Sequence, residues 1–142
     1  MKFLLDTNVL SEIRKPQGDG RVKAFVKSLR EDDIFISVLS IGEISYGIEK
    51  LDPGKKKTEL LVWLTQKLPE RFEKRIIPLD LDIMTEWGRL QARIKRTLPV
   101  FDSLIAASAL VYRLNLLTRN TKDFEEIEGL ELYNPWLDDT FY

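Results

Sequence analysis

Phe3-Leu4-Leu5-Asp6-Thr7-Asn8-Val9-Leu10 opens the chain with an apolar run, an acid, two small polar residues and apolar residues again. A short buried strand followed at once by a helix explains that order, because Asp, Thr and Asn all serve as helix N-caps. Working outward, similar apolar runs recur at Ile34 to Val38, Ile76 to Leu79 and Leu114 to Thr118, each bounded by charge or turn residues. Segments with helical spacing lie between them: Val22, Phe25, Val26, Leu29; Ile41, Ile44, Ile48, Leu51; Leu60, Leu61, Leu64, Leu68; and Leu81, Met84, Trp87, Leu90, Ile94. Strands alternating with helices predict an α/β fold, a three-layer α/β/α sandwich with a central, mainly parallel sheet. Ligands of such sheets collect beyond the carboxyl ends of the strands, so the residues just after each strand are the ones to inspect.

Composition narrows the chemistry. With 142 residues and 44% hydrophobic content, the chain is expected to form one domain over residues 1–142 with one active site. It contains no His and no Cys. That excludes a disulfide framework, a Cys nucleophile, a Ser-His-Asp triad and a His/Cys zinc cluster. Any metal should be a hard, oxygen-preferring ion such as Mg²⁺ or Mn²⁺. The opening run is broken by charge too early for a signal peptide, and no stretch approaches the roughly 20 apolar residues of a membrane span. A cytoplasmic protein with no membrane partner is expected. The net charge of −1 argues against whole-surface binding to nucleic acid, while 22 basic residues leave material for a local basic face.

Four acids fall next to strand ends. Asp6 follows the first run, and its alternative role is an N-cap. Glu43, in Ser40-Ile41-Gly42-Glu43, fits a Ser-x-x-Glu capping box, yet a Glu in a first helical turn also projects over the strand ends. Asp102 opens Asp102-Ser103-Leu104-Ile105-Ala106-Ala107, the start of a helix apolar almost all round. It is either an N-cap, a duty Ser103 would serve equally, or a charge at an apolar mouth that needs a partner. Asp123, in Thr118-Arg119-Asn120-Thr121-Lys122-Asp123, is a turn residue or the fourth acid. Four unpaired acids at one sheet edge would repel one another unless a divalent cation neutralised them, so a metal site is the economical account.

With these residues in view, the chain resembles the PIN-domain nucleases, and among them the VapC/FitB-like toxins of bacterial toxin–antitoxin pairs. The matching pieces occur in family order: Leu4 to Glu12, Ser40 to Ile44, Pro99 to Ala107 and Leu117 to Phe124, with a closing Asn134-Pro135-Trp136. The resemblance implies a Mg²⁺- or Mn²⁺-dependent endoribonuclease acting on RNA, held inactive by a cognate VapB-like antitoxin, and a homodimer. By position it makes Asp6, Glu43 and Asp102 the metal-binding acids. It places the fourth acid at Asn120 or Asp123, and since the former is Asn, Asp123 is the candidate. Cations held there would lower the pKa of a water and orient it in line with a phosphodiester.

Thr7, Asn8 and Thr118 either support carboxylates or phosphate by hydrogen bonds or do turn and cap duty. Arg119 is a candidate for phosphate contact, as are Arg89, Arg93, Lys95 and Arg96, which otherwise form a solvated helix face. Lys55-Lys56-Lys57 reads as surface. Trp63 and Trp136 are either interface residues or core. The rivals are a receiver-type phosphate acceptor, a PIN-fold binding protein without catalysis, and a nuclease acting on DNA.

Overall fold

Phe3, Leu4 and Leu5 are all fully buried, as a strand covered on both faces requires. The computed structural model describes residues 1–137. Its strands are β1 (Phe3–Leu5), β2 (Ile34–Ser37), β3 (Ile76–Ile77), β4 (Asn115–Leu117) and β5 (Leu132–Tyr133). They form one sheet in the order β3-β2-β1-β4-β5, and every pairing is parallel. This order differs from the 2-1-3-4-5 order of flavodoxin- and CheY-like folds, which removes the receiver-type rival.

Helices α1 (Thr7–Arg14) and α2 (Gly20–Ser28) follow β1, and α3 (Val38–Glu49) follows β2. A long helical arm comes next, α4 (Lys55–Val62) and α5 (Leu68–Arg71), joined by a π turn at Trp63–Lys67. Helices α6 (Leu81–Arg93) and α7 (Val100–Tyr112) connect β3 to β4. Alternation along the strands sends Phe3, Leu5 and Leu117 to one face, where they pack with Val9, Val22, Phe25, Leu64 and Phe72. Leu4 and Leu116 face the other way, onto Ile83, Leu90, Ile105 and Ala106. Two apolar layers on a parallel sheet confirm the expected sandwich. Among these residues no helix is long and apolar enough to cross a membrane.

The structure departs from the sequence expectations at several points. Strand β2 ends at Ser37, whose hydroxyl accepts from Leu39 N and caps α3, so Val38 is helical rather than extended. β3 stops at Ile77. β5 is an additional edge strand of two residues, too short to show periodicity. Trp136 belongs to the core at 8% exposure, and Trp63 is half-buried beneath Arg14. Lys57 is not free surface either: its ammonium donates to the Glu49 and Leu51 carbonyls at the end of α3.

Candidate active site

The strand order changes direction between β1 and β4, and that crevice is where an open α/β sheet binds ligands. Asp6 sits at its floor. Its amide donates to Leu117 O, its Oδ1 accepts from Thr7 N at 2.8 Å, and its Oδ2 accepts from Thr118 Oγ1 at 2.8 Å. The cap role and the site role therefore coincide, because capping α1 is what turns the carboxylate toward β4. Asp6 is 7% exposed. Burial is the main reason its carboxyl is raised from 3.8 to about 6, opposed by the Thr118 and Thr7 bonds and reinforced by the charges of Asp102 and Glu43.

Thr118 is fully buried and works as a junction. Besides donating to Asp6, its hydroxyl accepts from Asn8 Nδ2 at 3.4 Å and from Asn120 N at 3.1 Å. Asn8 also reaches the next residue, accepting from Arg119 N at 3.3 Å. The exposed Arg119 guanidinium lies 5.1 Å from the Trp136 ring centre, a cation–π arrangement that holds it at the rim.

Glu43 is no capping-box residue. The N-cap of α3 is Ser37, which puts Ser40 and Glu43 inside the helix, Glu43 in its second turn. Its Oε1 instead accepts from Thr7 Oγ1 at 2.6 Å, and Thr7 Oγ1 lies 2.8 Å from Ser40 Oγ. Sequence reasoning assigned Ser40 to the cap and missed this contact. The signal available was the i, i+3 spacing that puts Ser40 and Glu43 on one helix face.

Asp102 is likewise not a cap. Pro99 holds that position, and Asp102 lies in the first turn of α7, where a carboxylate complements the helix dipole. Its turn is fastened to α6: Trp87 Nε1 donates to Ser103 Oγ at 2.9 Å, and Ser103 Oγ donates to Val100 O at 2.9 Å. Burial first, then the charges of Asp123 and Glu43, push the half-buried Asp102 carboxyl above its ordinary value. Asp123, exposed on a 3₁₀ turn at Thr121–Phe124, thus shares the electrostatic field of Asp102. The acids that follow β1, stand on α3 and α7 and lie on this turn are near enough for their charges to act on one another in pairs. Among the described residues no three of these acids stand close enough together to hold a metal ion as they are placed.

The cations are distributed differently. Arg89 and Arg93 pair with Glu86 on α6 itself, at 3.7 and 3.1 Å. Arg96 donates to Glu126 at 3.0 Å and to the Asp123 carbonyl at 3.0 Å, so it straps the loop before α7 to the Asp123 turn. Lys95 lines a cleft with Arg93, Ile94 and Glu126. Of the basic candidates, Arg119 alone is tied by hydrogen bond to a residue bonded to Thr118.

The PIN domain family model matches residues 3–130. Toxin FitB of Neisseria gonorrhoeae is 34% identical over 139 residues, covering 96% of this chain and 99% of the relative. A VapC ribonuclease of Sinorhizobium fredii, Y4jK, is 31% identical over 137 residues, covering 94% of this chain and 97% of its own length. The crystal structure of FitAcB from Neisseria gonorrhoeae superimposes with a TM-score of 0.87 at 34% identity, over 94% of this chain and 98% of that one.

Proposed function

Because the chain belongs to the PIN-domain family, with toxins of the FitB and VapC type as full-length relatives, we propose that it is a metal-dependent endoribonuclease and the toxin of a toxin–antitoxin pair. The observation that carries this is the nearness of Asp6, Glu43, Asp102 and Asp123 at the switch point of the sheet: burial first, and then the charges of Asp102 and Glu43 on Asp6 and of Asp123 and Glu43 on Asp102, raise those two carboxyls. Such mutual repulsion costs stability unless a cation offsets it.

The donor set fits a hard divalent ion: every candidate ligand is a carboxylate oxygen, and the neighbours Thr7, Asn8 and Thr118 offer only hydroxyl and amide groups. Asp6, Glu43 and Asp102 would hold Mg²⁺ or Mn²⁺. Bound there, the ion supplies a water of lowered pKa and charge to offset that developing on the phosphate. The protein's own residues do the positioning. Thr118 and Thr7 N fix both oxygens of Asp6, the Trp87–Ser103 bond steadies the turn carrying Asp102, and Asp123 adds negative charge on the open side. Arg119, at the rim, is the group suited to an RNA phosphate.

The test is cleavage of a mixed single-stranded and structured RNA pool, and of matching DNA, with Mg²⁺, Mn²⁺ or EDTA. Cutting of RNA that stops in EDTA is expected. Cutting of DNA alone would replace the ribonuclease reading, and EDTA-resistant cutting by the pure protein would remove the metal.

An antitoxin segment has a place to dock. Two adjoining clefts, of about 490 and 120 Å³, share Ile13 and Arg71 and run between α1, α2, the π turn and α5. Ile13, Val26, Leu29 and Leu68 line them as apolar residues, while Lys23, Lys27, Arg14 and Lys67 give the rim a basic excess over Glu31, which pairs with Arg71. A helix with an apolar ridge and acidic flanks complements that surface. When the chain is co-purified with the protein encoded beside its gene, amide exchange should slow in residues 7–28 and 55–71. Protection confined to α6 and α7 would refute this docking site.

A further inference from the structure

Six hydroxyl residues in the helical segments of this protein bond back to their own backbone. Thr58, Thr65, Thr85 and Ser108 each donate to the carbonyl four residues earlier, and Ser28 and Ser103 to the carbonyl three residues earlier. That is the ordinary fate of a helical hydroxyl. Ser40 is different. Fully buried in the first turn of α3, it reaches across to α1 and meets Thr7 Oγ1 at 2.8 Å.

Proton counting sets the direction of the chain. Each hydroxyl has one hydrogen, and an ionised carboxylate can only accept. The Thr7 hydrogen therefore goes to Glu43 Oε1, at 2.6 Å, and Ser40 must donate to Thr7. A donor feeding a second donor strengthens the terminal bond, which here is charge-assisted and short. The arrangement brings a buried serine, a residue next to Asp6 and an acid of α3 into one line.

We propose that Ser40 is a positioning residue of the active site, its hydroxyl acting through Thr7 to hold the Glu43 carboxylate in the crevice where it serves the metal. The proposal rests on the reading of Glu43 as a metal-binding acid. It assigns α3 two contributions to the site, the carboxylate and the donor that orients it, and it makes the contact between α1 and α3 part of the site's geometry. Removing the Ser40 hydroxyl leaves Thr7 free to rotate between Glu43 and solvent. The carboxylate then loses a fixed rotamer without losing its charge.

Two measurements on the intact chain decide it, with Ser108→Ala as the control for loss of a buried helical serine that bonds only back to its own helix, at Leu104 O. In metal-free protein, NMR of the Glu43 side-chain methylenes should report one rotamer in wild type and in Ser108→Ala, and averaging in Ser40→Ala. Free Mn²⁺ measured by electron paramagnetic resonance should show binding weakened about tenfold in Ser40→Ala and unchanged in Ser108→Ala. In a Glu43→Gln background, Ser40→Ala should weaken binding no further. If Ser40→Ala does not fold, Thr7→Val interrupts the same line from its middle and is held to the same outcomes. The proposal is overturned if Glu43 keeps a single rotamer in Ser40→Ala, if Mn²⁺ binds that variant as it binds wild type, or if the loss adds in full to that of Glu43→Gln. Should wild type bind no Mn²⁺, the metal reading of Glu43 fails, and the rotamer comparison still decides whether Ser40 holds the carboxylate.

Discussion

Asp102→Asn lowers RNA cleavage at saturating Mg²⁺ by roughly 10³-fold or more, the scale seen when one preorganised electrostatic group is removed from an active site. The replacement keeps the shape of the side chain and removes its charge. In EDTA the variant folds as well as wild type or better, because the carboxyl is pushed up by burial and by the charges of Asp123 and Glu43, and the neutral amide escapes all three. The α7 helix has no need of Asp102 as a cap, since Pro99 occupies that position. Cleavage assays and urea unfolding of the same preparations test both halves. A variant that unfolds where metal-free wild type does not would reduce Asp102 to a structural residue, and equal cutting by both would point to a contaminating nuclease.

Metal-free protein is expected to lose stability as pH rises from about 4 to above 6, by up to about 3 kcal/mol through Asp6. The sign follows from its carboxyl, raised from 3.8 to about 6 in the fold. Folding favours the protonated form, so this stabilisation is full below the unfolded value of 3.8 and is lost as pH rises through about 6. Asp102 is shifted in the same direction and adds to the trend. Asp19, Glu31 and Asp80 are held below their ordinary values, chiefly by hydrogen bonds from Arg21, Arg71 and Tyr112 respectively. Their stabilisation runs the other way and is lost on acidification, below the range in which Asp6 titrates. Urea unfolding in EDTA at pH 4.5 and 7, for wild type and Asp6→Asn, isolates the contribution. Asn retains the N-cap acceptor and should flatten the dependence. Mg²⁺ should restore stability to wild type above pH 6 and have little effect on Asp6→Asn. A wild type whose metal-free stability does not fall over this range would mean that Asp6 is not held against its charge.

Glu43 illustrates how far local reading reaches. Ser-x-x-Glu is a sound local pattern for a capping box, and it failed because the helix starts three residues earlier, at a cap supplied by Ser37. Strand β2 ends sooner than its apolar composition suggests, which carries both Ser40 and Glu43 into the helix. Asp102 falls in the helix the sequence predicts, and its cap alternative fails because Pro99 takes that position. Strand β5, Leu132–Tyr133, shows no alternation because it is two half-buried residues at a sheet edge. The basic candidates before Asp102 were legible as charges but not as partners, and Glu86 and Glu126 now account for Arg89, Arg93 and Arg96.

By itself the sequence determined the alternation of strands and helices, the parallel sheet it implies, and the restriction to oxygen ligands in a chain without His or Cys, and it singled out Asp6, Glu43, Asp102 and Asp123 as candidates. These follow from local pattern and composition, which act between near neighbours. Tertiary structure alone decided that Asp6 and Thr118, 112 residues apart, share a hydrogen bond, and that Thr7 faces Glu43 rather than solvent. It also decided that burial, ahead of neighbouring charge, raises Asp6. Those outcomes depend on strand order and on which face of each helix meets the sheet, and both are set only when the two apolar layers close over it.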